Sequence, residues 1–188
     1  MADGYRLPLT VWSPQGTPVA VVLALHGFND YRASFDAPAV YLAGHGVITY
    51  AYDQRGFGET QQRGIWPGSN RMRDDAATVS RLLCEQHPDL PLFILGESMG
   101  GAVAVDMMQA YTDSCISGVI LVAPAGWGWT TMPALQRSAL RFLAHSFPVY
   151  SPTGEGLGVV ASDNRVMLEE QWVDPLVIKE TRFDAIYG

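Results

Sequence analysis

Residues 96–101 read Gly-Glu-Ser-Met-Gly-Gly and follow the apolar run Leu92-Phe93-Ile94-Leu95. A serine with glycine two positions away on either side matches G-x-S-x-G, the turn that presents a nucleophilic hydroxyl at the end of a buried strand. Gly96 and Gly100 leave room for strand and helix to approach each other closely. Ser98 is therefore a candidate nucleophile; a serine that merely caps a helix in a glycine turn is the plainer alternative. Attack on a carbonyl creates an oxyanion, which needs fixed N–H donors. Met99, the next residue, opens a helix and offers one, aided by the helix dipole. The second is expected from the loop after an earlier central strand, His26-Gly27-Phe28, with the Phe28 N–H as donor. His26 reads as a structural residue whose ring fixes that loop, not as a general base. Together with Gly27 it belongs to the frame of the site.

A further stretch, Asp53-Gln54-Arg55-Gly56-Phe57-Gly58-Glu59-Thr60, has two glycines for a tight turn and a charge pair to hold it. It reads as a structural loop beside the pocket. A phosphate cradle is excluded because the stretch opens with an acid and no helix begins directly after its glycines.

These residues need elements to carry them. Residues 5–12 fit an edge strand, since Pro8 is costly in a central one. Residues 19–25 are continuously apolar, as in a strand covered on both faces. Residues 34–43 read as a helix, 47–52 as a strand rich in β-branched and aromatic residues. A long helix is expected over 70–87, capped by Asn70, with Met72, Ala76, Val79, Leu82 and Leu83 forming its apolar stripe. Leu92–Leu95 is the next strand, a helix follows Ser98, and 116–122 is the last clear strand. Strand alternating with helix implies α/β architecture: a mostly parallel sheet flanked by helices.

Residues 124–170 differ in character. Trp127, Trp129, Phe142, Phe147 and Tyr150 are interleaved with Gly126, Gly128, Gly154, Gly156 and Gly158, around one amphipathic helix from Pro133 to about Ser146. The segment reads as a cap inserted beside the site. The division expected is thus a core over 1–123, a cap over 124–170 and a return to the core over 171–188.

The chain of 188 residues, 48% hydrophobic and 16% charged, suits one globular domain. Its net charge of −7 disfavours nucleic acid as a partner. Cys84 and Cys115 have no metal-ligand spacing and are expected to be reduced, buried small hydrophobes, with a disulfide between them the lesser alternative in so cysteine-poor a chain. No metal or cofactor is implied. No apolar run reaches the ~18–20 residues that span a bilayer, and the N-terminus has no signal-peptide pattern, so a cytoplasmic location is expected.

H-G-F-N-D, D-Q-R-G-F-G-E-T and G-E-S-M-G-G, in that order, resemble the α/β-hydrolase superfamily, and more narrowly its monoacylglycerol lipase and lysophospholipase-like group, the serine aminopeptidase S33 type. Residues 161–176 resemble the segment after the cap in those lipases. The resemblance implies a serine hydrolase of carboxylic esters acting through an acyl-enzyme on a small ester or lipid substrate. It matches Ser98 to the nucleophile and Phe28 and Met99 to the oxyanion donors.

The group's chain order is serine, acid, histidine. Of the four histidines here, His26, His45 and His87 precede Ser98, and His145 lies on the cap helix. Asp106 and Asp113, on and at the end of the nucleophile helix, are poorly placed to orient a base. His45 and His87 read as surface turn residues. The expectation is an N-terminal portion of such a hydrolase, with acid and base beyond Gly188 and the Ser98 strand less covered on one flank. A catalytically silent ligand-binding domain and a half-enzyme needing a complementing chain remain open.

Overall fold

The computed structural model describes residues 1, 3–111, 115–126, 128, 131–153 and 162–188. Its elements in chain order are β1 (Leu9–Trp12), β2 (Ala20–Leu25), a 3₁₀ turn at Arg32–Phe35, α1 (Asp36–Ala43), β3 (Val47–Tyr52), α2 (Ser69–Gln86), β4 (Leu92–Glu97), α3 (Met99–Ala110), β5 (Ile116–Val122), α4 (Ala134–Ser146), α5 (Arg165–Val173) and α6 (Phe183–Tyr187). The strands form one sheet in the order β1-β3-β2-β4-β5. Only β1 runs antiparallel, against β3; the other neighbours are parallel. The α/β class and mostly parallel sheet expected from the alternation of patterns are what the chain adopts.

Core composition explains the layering. On one face Val21, Leu23, Leu25 and Ile94 meet Met72, Ala76 and Leu83 of α2 and Val103 and Met107 of α3. On the other, Val22, Ala24 and Ala51 meet Phe35, with Trp12, Phe93 and Leu95 packed alongside. Strand β2 is buried on both faces, which is why its sequence is apolar without alternation. Because β2, β3 and β4 are parallel, the loops that leave them, at 26–31, 53–60 and 98, gather at one edge of the sheet.

Four expectations need correction. Helix α2 begins at Ser69 behind Gly68, whose φ is 91°, and no side chain caps it, so Asn70 lies inside the first turn. The Ser98 strand is not the exposed one: β4 is paired on both sides, and the edge strands are β1 and, next to β4, β5. There Val119, Ile120, Leu121 and Val122 are 36–46% exposed. Cys84 and Cys115 are disulfide-bonded, with Cα atoms 6.1 Å apart, tying the end of α2 to the lead-in of β5. Finally, His87 is not simply a surface turn residue: it is half-buried, and its Nε2 lies 2.8 Å from the Tyr50 hydroxyl.

In the segment read as a cap, α4 starts behind Pro133 as expected and packs against α6. Helix α5 was not legible in advance; Asn164 caps it by accepting the Met167 N–H at 3.2 Å. Trp127, Trp129, Gly154, Gly156, Gly158 and Asp113 lie outside the described residues.

Candidate active site

Strand β4 ends at Glu97, helix α3 begins at Met99, and Ser98 makes the turn between them with φ 48° and ψ −112°. Positive φ is costly for any residue with a Cβ, so surrounding bonds must hold it. The Ser98 N–H donates to the Val122 carbonyl at 3.0 Å, and the Ser98 carbonyl accepts the N–H groups of Gly101 at 3.0 Å and Ala125 at 2.9 Å. Packing requires the flanking glycines. A Cβ on Gly96 would sit 2.5 Å from the Gly100 carbonyl oxygen, and one on Gly100 would run into the Leu25 carbonyl. The strand before the turn and the helix after it therefore touch through backbone, which leaves the serine at the apex.

The loop after β2 runs beside that apex: a Cβ on Gly27 would lie 3.6 Å from the Ser98 Cβ. His26 anchors this loop from below. Its ring is fully buried; Nε2 accepts the Gln54 N–H at 2.9 Å, so Nδ1 carries the proton and donates to the Gly27 carbonyl at 2.8 Å. The Gln54 side chain returns a bond to the His26 carbonyl at 2.8 Å. Burial pushes the His26 pKa down to about 4. With both ring nitrogens engaged, His26 has no lone pair free for the Ser98 hydroxyl. Phe28 packs edge-on against Phe57 and Trp66, and Asn29 follows with φ 66°. The Met99 N–H belongs to the first turn of α3, whose donors have no acceptor within the helix.

Asp53-Gln54-Arg55 holds its shape by charge, but not through a pair within itself. Buried Asp53 receives the Arg32 guanidinium, the Arg32 N–H at 3.0 Å and the Glu59 N–H at 2.8 Å. Arg55 reaches the other way, bidentate to Asp75 of α2 at 2.5 and 3.0 Å.

The other histidines have partners away from Ser98. His45 Nδ1 lies 2.9 Å from the Tyr41 carbonyl; His145 Nδ1 lies 2.7 Å from the Arg141 carbonyl, with its ring against Tyr187. Asp106 is within 3.9 Å of Arg73. The structure thus sets Gly27 beside Ser98 and Met99, with Phe28 next along the same loop, and gives His45, His87, His145 and Asp106 partners elsewhere.

Sequence reasoning missed the acids and ties around the loop. Glu97 is half-buried, with its carboxyl pushed up by burial and by the charge of Asp30. Burial also raises Asp30, with Asp174 and Asp53 adding to the effect and the Tyr31 N–H opposing it. Asp30 accepts the Gln171 amide at 3.0 Å, the Tyr31 hydroxyl donates to Asp174 at 2.6 Å, and the Asn29 amide donates to Thr181 at 2.6 Å. These partners lie more than 140 residues apart in sequence, so no local pattern announces them.

A parallel sheet layered by helices, with a glycine-framed serine elbow at the end of a central strand, has the architecture of an α/β-hydrolase. The chain belongs to the serine aminopeptidase, S33, family, whose profile matches residues 16–188. It is 31% identical over 124 residues to the monoglyceride lipase of Mus musculus, a match covering 65% of this chain and 41% of that one. It is 28% identical over 169 residues to phospholipase YtpA of Bacillus subtilis, covering 87% and 62%. Among solved structures, a soluble variant of Saccharomyces cerevisiae monoglyceride lipase in complex with a substrate analog superposes with TM-score 0.78 at 22% identity, over 98% of this chain and 64% of that one. A thermostable carboxyl esterase from Bacillus coagulans superposes with TM-score 0.75 at 21% identity, over 98% and 66%. The two structural likenesses speak for the fold alone. The matched region spans about two fifths of the mouse relative's length. Among the described residues, no helix is long and apolar enough to cross a membrane.

Proposed function

We propose that this chain forms the nucleophile-bearing part of a serine hydrolase of carboxylic esters, with acylglycerols or lysophospholipids as its substrate class. The observation that carries the reading is Ser98 held at positive φ between β4 and α3, with the Gly27 loop alongside. In the proposed reaction the Ser98 Oγ attacks the ester carbonyl carbon while a base takes its proton. The Phe28 and Met99 N–H groups hold the resulting oxyanion. Collapse expels the alcohol, which regains the proton, and leaves an acyl group on Ser98. Water then attacks that acyl group by the reverse proton route, releasing the acid.

The base and its orienting acid are proposed to come from residues after Gly188, because His26 has both ring nitrogens engaged and the other three histidines are bonded to groups away from Ser98. Residues 124–170 are proposed as the cap that walls the acyl chain, apolar lining being usual in such pockets. The relatives, a monoglyceride lipase and a phospholipase, support the same substrate class of monoacylglycerol and phospholipid esters. On location, a Cys84–Cys115 disulfide is the kind of bond that persists in an oxidising compartment.

A fluorophosphonate probe tests the reading. We expect slow labelling at Ser98 in this chain, faster labelling when a C-terminal segment from a family member is added, and none in Ser98→Ala. Labelling at another residue, or at none under both conditions, overturns it and favours a silent ligand-binding domain.

A further inference from the structure

The loop that carries Phe28 closes as a turn in which the Asp30 N–H faces the Gly27 carbonyl at 3.4 Å. Asn29 occupies the third position of that turn with φ 66°. This region is open to glycine and tolerated by asparagine, at a cost of roughly 1–2 kcal/mol for an ordinary residue. A turn closed by so long a bond does not hold Asn29 there alone, so what else holds it matters for the direction of the Phe28 N–H.

The holding groups come from the far end of the chain. The Asn29 carbonyl accepts the Ile178 N–H at 2.9 Å, and its side-chain amide donates to the Thr181 hydroxyl at 2.6 Å. Beside them, Asp30 takes the Gln171 amide and Asp174 takes the Tyr31 hydroxyl. The receiving segment is itself knotted: Asp174 accepts the Leu176 N–H at 2.8 Å, and the Lys179 ammonium binds the carbonyls of Asp174 at 2.5 Å and Val177 at 2.8 Å. It is also joined to residues 148–153. The Thr181 N–H donates to the Pro152 carbonyl at 3.2 Å, the Phe183 N–H to the Tyr150 carbonyl at 3.1 Å, and Thr153 bridges Glu180.

We infer that residues 171–181 act as a latch on the oxyanion loop, and that Asn29 is a positioning residue whose bond to Thr181 fixes the direction of the Phe28 N–H. The assignment rests on the hydrolase reading above. Its chemistry is simple. While Thr181 holds the Asn29 amide and Ile178 holds its carbonyl, the Gly27–Asp30 turn stays closed and the Phe28 N–H stays aimed beside Ser98. When residues 148–153 move and draw Thr181 away, Asn29 relaxes toward negative φ, the turn opens and the donor swings off. Displacement of the proposed cap is thereby converted into loss of one oxyanion donor.

The test compares Thr181→Val, which removes the accepting oxygen at similar volume, with Thr181→Ser, which keeps it. Asn29→Gly removes the amide while tolerating the same φ. Hydrogen exchange of amides 27–31 is read against those of β2 in the same sample, so it needs no catalysis. We expect exchange at 27–31 to rise about tenfold in Thr181→Val and Asn29→Gly, the scale of one lost hydrogen bond. Thr181→Ser should return to the parent rate and β2 should not change. Fluorophosphonate labelling of Ser98, with the C-terminal segment present, should slow about tenfold or more in the same two variants. Unchanged exchange at 27–31 in Thr181→Val, or an equal rise in Thr181→Ser, overturns the latch. Raised exchange with undiminished labelling overturns the positioning role. A parent that never labels tells against the hydrolase reading, while the exchange comparison still decides the latch.

Discussion

His26 and Ser98 show two ways in which single residues here are made to hold unusual states. Ser98 is kept at positive φ by backbone bonds to Val122, Gly101 and Ala125, all of them indifferent to its hydroxyl. His26 is kept neutral: its ring is buried, and its pKa of about 4 lies below the ordinary value of 6.5. The folded chain thus binds fewer protons than the unfolded chain between those values, and stability rises with pH across that window. The contribution is fully present above pH about 6.5 and is lost as pH falls toward 4, on the order of 3 kcal/mol in all. Urea denaturation from pH 4 to 8 should show this slope in the parent and a flatter one in His26→Gln, which has no imidazole to protonate. That the His26 ring fixes its own loop could be read from sequence because its position, at the end of an apolar strand before glycine, is local information. The Asn29–Thr181 bond could not, because it exists only once the two ends of the chain meet.

At the level of elements, α2 and β5 carry the plainest consequence. The Cys84–Cys115 bridge closes a loop 31 residues long that contains β4, Ser98 and α3. A cross-link of that span restricts the unfolded chain by about 3–4 kcal/mol. Cys84→Ala with Cys115→Ala should therefore lower the free energy of unfolding by about that amount, measured under non-reducing conditions, with far-ultraviolet circular dichroism unchanged. Sequence pattern defined β3 and β5 to the residue because both are apolar runs bounded by turn residues. It misjudged the start of α2, where Gly68 turns the chain without any side-chain cap. It also ranked the disulfide below free thiols, since only the fold makes the end of α2 a neighbour of the β5 lead-in. Helix α5 escaped because it is short and buries none of its residues, with Val166, Trp172 and Val173 exposed, so no apolar stripe marks a packed face.

The two edges of the sheet differ in how they are guarded. Among the described residues β5 has no partner on its outer side, and Ile116–Val122 contains no charged residue or proline to discourage another strand from pairing there. At high protein concentration the chain as described should self-associate, and Ile120→Lys should return it toward a monomer in sedimentation velocity. At the other edge, β1 is a strand of only four residues paired with β3, with Leu9 and Val11 about half exposed. Between these sides sits His26, sealed from solvent with both nitrogens occupied. An acylating reagent such as diethyl pyrocarbonate needs a free, accessible imidazole nitrogen. The exposed rings of His45 and His145 answer to it in the folded chain, whereas His26 does so only after the loop beside Ser98 has opened. Carbethoxylation at that one residue is thus a clock, built into the protein, for how often the heart of the site comes apart.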